Sequence, residues 1–508
     1  MNSPSRFNRR KFVAGGAAAS ALGLSDLPFL PLLGKVSAQE AVLRPEMVGL
    51  RPEMEPIVRL IEETPRDRLM EDVGQRVRLG KLSYQQVLAG VQLAGVRNIQ
   101  PRPVGFKFHA VLVINSAHLA SLASPDSERW LPLFWALDNF KSSQQQDIAQ
   151  GDWSMTPLDE KVLPMPHRAM AAFRSAMDNW DEAAADVAVA ALARNASAGE
   201  LFDVFAEYGA RDYRDIGHKA IYVANSFRAL ESIGWQHAEP ILRSLAYALL
   251  AHEGDNPATR DAGAERPGRL NRELLKTIPP DWLGGKRDPE RARTLLPVLR
   301  EGDHANASRA VVSLLREGVH PDSIWDALLA FSGELMMRRP NILSLHAVTA
   351  SNAIYYAYRT VRSEERRQFL LLQNASFLPL FRRDPERIAA QPRFVDSFEK
   401  STSLVAGSEL EDIFATVSSD KPAAAAKVLA YIEDSPSRAH EVITTARRYL
   451  FLKGNNSHDY KYTSAVLEDY SQLSPGMRDR YLAASVFNLK GSGDRANPLV
   501  GRIRAALA

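Results

Sequence analysis

Four times along the 508-residue chain, a segment with helical spacing of apolar residues leads into a second such segment that carries a histidine near its start. The interval from the capping serine or the proline that starts each pair to this histidine is 21–26 residues. The pairs are 81–96 with 108–117, 198–210 with 217–230, 321–336 with 345–358, and 436–451 with 457–470. A helix pair cannot bury its apolar faces alone, so such a repeat predicts pairs that stack around a shared core.

Strand-like alternation of apolar and polar residues is scarce in the rest of the chain. We therefore predict an all-α fold, in which helical-pair repeats form a compact bundle or a toroid-like array. Residues 39–251 are predicted as a first helical half and 306–508 as a second. Residues 252–305 are rich in proline, glycine and charge, and are predicted as an insertion or linker between the halves.

The repeated histidines, His109, His218, His346 and His458, are candidate metal ligands. Stacked helix pairs can bury their faces with Leu, Ala and Val, so a matched imidazole in each pair suggests a further role. Quasi-equivalent pairs around one axis would bring the four rings together, as in metal sites of helical bundles. Lys461 shares a helix face with His458 and, if deprotonated or carboxylated, is a fifth donor.

Four imidazoles and one further donor leave one position open on a six-coordinate metal. That arrangement suits oxygen chemistry at non-haem iron better than a closed zinc site, although zinc remains an alternative. In another alternative, the histidines are structural residues of a helical-repeat protein.

The remaining histidines receive different interpretations. His237 and Glu239 either line the same pocket or hydrogen-bond each other, whereas His118 is expected on the face opposite His109. Asparagines six or seven residues after three of the repeated histidines are not predicted as ligands, because these offsets do not share one helix face. The histidines predicted to be solvated are His167, His252, His304, His320 and His440.

Composition excludes several classes of protein. The chain has no cysteine, which excludes disulfides, covalently attached c-type haem, cysteine-ligated iron–sulfur clusters and a thiol nucleophile. The motifs of P-loop nucleotide-binding proteins, α/β-hydrolases and zinc metalloproteases are missing from the sequence. No basic patch indicates a nucleic-acid partner.

Residues 1–38 have the pattern of a twin-arginine signal peptide. Arg9 and Arg10 precede an uncharged run over 13–24, and the small residues 36–38 suit a signal peptidase. The run is too short to span a bilayer, so we expect no membrane anchor in the mature form. The expected partner is the twin-arginine export machinery, and the expected location is periplasmic or secreted.

The order of the histidine motifs resembles the questin oxidase-like family. The matching segments are FHAVL at 108–112, GHKAI at 217–221, AEPIL at 238–242, LHAVTAS at 345–351 and SHDYK at 457–461. Tyr222 stands where the family's second motif has another histidine, and is a candidate pocket residue. The resemblance implies a helical redox enzyme whose histidines hold a non-haem metal, iron in particular. Some members of that family act on anthraquinone-type polyketides.

We predict an exported, metal-dependent oxidoreductase, specifically a non-haem iron oxygenase that uses O₂ on an aromatic or cyclic small molecule. The alternatives are a non-catalytic helical-repeat binding protein with structural histidines, and a zinc hydrolase that uses metal-bound water.

Export supplies the first test. Replacing Arg9 and Arg10 together with Lys should block translocation, because the export pathway reads the paired guanidinium groups and not charge alone. Cell fractionation should then find the variant inside the cell, and the wild-type chain outside it with a new N-terminus near Gln39. Translocation of the variant at the wild-type level would refute the twin-arginine interpretation.

Overall fold

The computed structural model describes residues 47–382, 393–401, 404–405, 407–433 and 435–508. The predicted signal peptide, residues 1–38, lies outside the described residues. Helices are numbered here in chain order over the described part. They are α1 Glu55–Glu63, α2 Arg66–Arg78, α3 Tyr84–Asn98, α4 His109–Leu112, α5 Ile114–Leu122, α6 Leu131–Ala149, α7 Pro166–Asp178, α8 Glu182–Asn195, α9 Ala198–Gly209, α10 His218–Ile233, α11 Ala238–Leu249, α12 Arg266–Leu275, α13 Pro289–Arg293, α14 Leu295–Glu301, α15 His304–Arg316, α16 Pro321–Arg338, α17 Ile342–Thr360, α18 Glu364–Leu380, α19 Glu409–Val417, α20 Lys421–Glu433, α21 Pro436–Lys453, α22 Ser457–Tyr470, α23 Pro475–Ser485 and α24 Leu499–Leu507.

The predicted all-α fold is confirmed. Over the described residues the chain forms no β-strand, and its extended pairing is limited to an isolated bridge between Lys286 and Val319. Short 3₁₀ turns connect several helices, among them Phe106–Phe108, Asp215–Gly217 and Trp235–His237. None of the described helices combines the length and the apolarity needed to cross a bilayer.

The second helices of the four pairs form a ring. In cyclic order α5, α10, α17 and α22 each contact the next, and α22 returns to α5. The first helices, α3, α9, α16 and α21, each pack against the second helix of their own pair. The pairs therefore surround a common axis lined by their second helices, as a toroid-like array requires.

Segment 252–305 differs from a plain loop. It contains α12, α13 and α14, and the side chains of Leu295, Leu296 and Leu299 in α14 are buried. Pro267 and Pro289 lie in the first turn of a helix, where a missing N–H group costs nothing, so these prolines are compatible with helix formation in this segment. Glu46–Ala508 form one compact unit, and the division into two helical halves remains a prediction.

Capping residues fix where the repeated helices begin. Ser83 and Ser197 each form a capping box at the start of α3 and α9. Asn341 and Asn456 accept backbone N–H groups at the start of α17 and α22. Because an Asn cap satisfies otherwise orphaned N–H groups, Asn341 and Asn456 fix where α17 and α22 begin, and His346 and His458 lie near the start of these helices.

Gly217 sets the close approach between α10 and α17. It precedes His218 with a φ of +83°, a left-handed conformation that L side chains rarely adopt. A Cβ atom added there would lie 2.6 Å from the Cβ of Ala350 in α17. Glycine therefore lets the start of α10 lie directly against its neighbour in the ring.

We expect Gly217→Ala to lower the free energy of unfolding more than Gly318→Ala. Gly318 has a similar φ of +79° and open space around it, so its substitution costs only the left-handed strain, about 1–2 kcal/mol. Gly217→Ala adds the clash with Ala350, roughly 1–3 kcal/mol more. Urea unfolding monitored by circular dichroism measures both, and equal losses would contradict the proposed packing.

Candidate metal centre

Three of the four predicted histidines form a cluster that could hold a metal ion: His109, His218 and His346. Nε2 of His218 lies 3.0 Å from Nε2 of His109 and 2.9 Å from Nε2 of His346. His218 and His346 are buried, and His109 is half-buried. The three rings come from α4, α10 and α17. His109 and His218 are 109 positions apart in the sequence, and His218 and His346 are 128 positions apart, so the ring of helices is what brings them together.

Backbone carbonyl groups determine which nitrogen of each ring carries the proton. Nδ1 of His109 donates to the carbonyl group of Phe106 (2.8 Å), and Nδ1 of His218 donates to that of Asp215 (2.5 Å). Nδ1 of His346 donates to the carbonyl group of Ile342 (2.7 Å). A carbonyl oxygen can only accept, so each Nδ1 is protonated and each neutral ring presents a bare Nε2. Metal-ligating histidines have this outer arrangement.

The short distances between Nε2 atoms therefore cannot be ordinary hydrogen bonds. Two unprotonated imidazole nitrogens at 2.9–3.0 Å bring lone pair against lone pair, and neither atom has a hydrogen to donate. This arrangement is unfavourable unless a cation lies between the nitrogens. The donor set thus fits a metal ion.

Strained backbone residues position two of the rings. Phe106 (φ 45°), Asp215 (φ 49°) and Ile216 (φ 48°) adopt a left-handed conformation that costs non-glycine residues on the order of 1–3 kcal/mol each. Phe106 and Asp215 supply the carbonyl groups that accept from Nδ1 of His109 and His218. The strain therefore occurs where the chain turns a carbonyl group toward a ring.

His458 completes the ring of imidazoles. Its centroid lies 4.5 Å from that of His109 and 5.2 Å from that of His346. The order of the rings around the axis is therefore the order of their helices. Nε2 of His458 is buried and has no hydrogen-bond partner within the described residues, so it is free to act as a further donor.

Lys461 lies one turn along α22 from His458, as its spacing predicts. Its side chain is buried, and its Nζ has no hydrogen-bond partner among the described residues. Burial lowers the pKa of Lys461 to about 7, so much of the amine is neutral near physiological pH. A neutral amine carries a lone pair and can serve as a nitrogen donor.

Burial also lowers the pKa of all four imidazoles. It is the largest cause in each case, and the charge of Lys461 contributes next. The pKa of His458 falls to about 4, and those of the other three lie well below 6.5. The rings are therefore neutral at pH 7, and their lone pairs are available for a metal.

A small polar cavity follows the same axis. Its volume is about 20 Å³, and residues of α5, α10, α17 and α22 line it, including Lys461. Asn115, Asn225 and Asn352 also line it, although their offsets from the histidines gave no reason to expect this.

The other predicted pocket residues have partners elsewhere. The hydroxyl of Tyr222 donates to Ser244 on α11, so it is directed at that helix. Glu239 is paired with Arg194 and not with His237, which corrects that expectation. The His237 ring hydrogen-bonds Gln236. We therefore do not include these three residues in the metal centre.

His118 lies away from the cluster, as expected. Its Nδ1 lies 3.0 Å from the hydroxyl of Tyr84, which belongs to α3 in the outer layer.

No family model, no curated protein and no solved structure matches the chain.

His346 offers the sharpest test of metal binding, because its ring is fully buried in the cluster. His346→Ala should weaken the binding of Co²⁺ or Zn²⁺ by more than about 100-fold. Loss of a residue that only hydrogen-bonds a metal ligand already lowers metal affinity about 10- to 100-fold, and loss of a ligand itself should lower it further. His118→Ala is the control and should bind as the wild type does. Titration of metal-free protein measures both affinities, and circular dichroism checks that each variant is folded. Unchanged affinity in a folded His346→Ala protein would eliminate this residue as a ligand.

Proposed function

We propose that this chain is a metal-dependent oxidoreductase, and specifically a non-haem iron oxygenase that acts on an aromatic or cyclic small molecule. The observation that carries the proposal is the convergence of three bare Nε2 atoms, with the His458 ring next to them and the buried Lys461 close enough for its charge to act on all four rings. A protein that used these histidines only for packing would gain nothing from opposing unprotonated nitrogens in its core.

The spacing of the nitrogens supports iron over zinc. Two ligand nitrogens about 2.1 Å from an ion lie about 3.0 Å apart at a right angle and about 3.4 Å apart at the tetrahedral angle. The separations of 3.0 and 2.9 Å from Nε2 of His218 are close to the value for right angles, and the three ligand atoms all lie within 4.8 Å of one another. Right angles are typical of six-coordinate ions, whereas structural zinc is usually tetrahedral.

The donor set would leave at least one position of a six-coordinate ion for an exogenous ligand. His109, His218 and His346 would hold the ion, and His458 and Lys461 offer up to two further donors. Iron bound there would supply the activation of O₂. The chain has no cysteine, so the ligands are hard and borderline nitrogen donors and not thiolates.

The residues around the site control what can reach it. The axial cavity of about 20 Å³ can hold one water molecule or a similarly small molecule such as O₂, but no organic ring. The asparagine side chains that line it can donate hydrogen bonds to a small polar ligand. Burial of the imidazoles limits access of bulk water.

The order of the sequence motifs supports the same class of reaction, because it resembles that of the questin oxidase-like family. The predicted twin-arginine signal is compatible with this proposal, since that pathway exports proteins that have already folded. We accordingly propose a periplasmic or secreted enzyme, whose substrates are a small organic molecule and O₂.

Elemental analysis of the folded protein tests the proposal. We expect about one iron per chain and, after anaerobic reduction, binding of nitric oxide as a surrogate for O₂, seen as the half-integer-spin EPR signal of a ferrous nitrosyl. His218→Ala should lose both the iron and the signal.

Two results would contradict the oxygenase. Stoichiometric zinc would favour a zinc hydrolase, and a metal-free protein that takes up neither iron nor zinc would favour structural histidines.

A further inference from the structure

A cleft opens beside the axial cavity, between α5, α21 and α22. Its volume is about 460 Å³, which is within the range of pockets that bind small organic ligands. Leu119, Leu122, Leu450 and Leu467 give it an apolar wall. The cleft is thus large enough for a ring system that the axial cavity cannot hold.

The cleft and the axial cavity share part of their lining. Leu119, Ser464 and Glu468 border both. Ser464 follows His458 by six residues along α22, a rise of about 9 Å along the helix axis. The distance from the cleft to the imidazole cluster is therefore comparable to the length of a small aromatic molecule.

Arg447 is the unusual residue of the cleft. It lines the cleft from α21 and is half-buried, yet its guanidinium makes no hydrogen bond and no ion pair anywhere in the part of the chain that the structure describes. Burial alone lowers its pKa, but an arginine remains protonated in proteins. A partly desolvated cation without a counter-ion is costly, and a bound anion would compensate for that cost.

Glu468, the carboxylate of the cleft, does not neutralise Arg447. It pairs with Arg228 at 2.7 Å and accepts from Asn352 at 2.9 Å. Its charge is therefore compensated by the inner ring of helices, and the positive charge of Arg447 is left for a ligand.

We propose that this cleft binds an organic anion, with its ring system against the leucine wall and its carboxylate or phenolate on Arg447. This deepens the proposed function, on which it rests for the role of the ligand as substrate. Binding itself requires only the cleft. A guanidinium forms two parallel hydrogen bonds to a carboxylate, so Arg447 both selects and orients the ligand.

Binding of 2-naphthoate and its neutral isostere 2-naphthamide to the full, metal-free protein tests the proposal. Isothermal titration calorimetry should show that 2-naphthoate binds more tightly. Arg447→Met should weaken the binding of 2-naphthoate roughly 10- to 100-fold, because the variant loses hydrogen bonds to a charged group. The affinity for 2-naphthamide should stay nearly unchanged.

Arg448→Met is the matched control. Arg448 is the next residue on α21, its side chain is 63% exposed, and its nearest acid is Glu128 at 3.9 Å. This variant should bind both probes as the wild type does. Arg447→Lys should restore part of the preference for the anion, and Leu119→Trp, which fills the cleft, should weaken both probes alike.

The proposal is overturned if neither probe binds, if the wild type does not distinguish them, or if Arg447→Met and Arg448→Met behave alike. Iron content is measured on the same samples after metal loading. If the chain prefers the anion but binds no iron, the proposal of an anion-binding cleft is supported and the proposal of an iron oxygenase is contradicted. If the chain binds iron but does not prefer the anion, the iron site is supported and the proposal of an anion-binding cleft is contradicted.

Discussion

The histidine cluster that could hold a metal ion depends on the hydrogen bonds between Nδ1 of three histidines and backbone carbonyl groups. These bonds fix one proton on the outer nitrogen of each ring and direct the bare nitrogen inward. Without them, an imidazole could change tautomer or rotate, and the lone pairs would not oppose one another. The left-handed conformations of Phe106 and Asp215 are the cost of aiming two of these carbonyl groups, and burial of the surrounding helices offsets that cost.

The ring of helices brings the imidazoles together. α10 and α22 begin at or just before His218 and His458, because the preceding residue is a turn or a cap that does not continue as helix. α17 begins at Ile342, after the Asn341 cap and four residues before His346, and His109 is the first residue of the short helix α4. Four helices that run parallel around one axis then bring their first turns to the same end. Positions further along the same helices line the axial cavity, and the paired charges of Arg228 and Glu468 are part of this lining.

Much of this arrangement could be predicted from the sequence because helical periodicity and capping are local properties. The repeat of one histidine per helix pair predicted the cluster, and the i,i+3 spacing predicted the burial of Lys461 next to His458. The carbonyl partners could not be predicted, since a left-handed residue such as Asp215 has no signature of its own. Of the two alternatives for His237 and Glu239, the hydrogen bond between them is not formed, because residues two apart do not face each other and Arg194 on another helix pairs with Glu239.

Closure of the ring joins the first helix pair to the fourth. Ser464 on α22 donates to the carbonyl of Ser116 on α5, across 348 positions of sequence. Contacts of such long range form late in folding, because the entropy of closing a long loop must be met before they contribute. The complete set of imidazoles can therefore exist only after the two ends of the array have met. An ion that binds all four rings would stabilise the closed array over every partly folded form, so that metal occupancy reports that folding is finished.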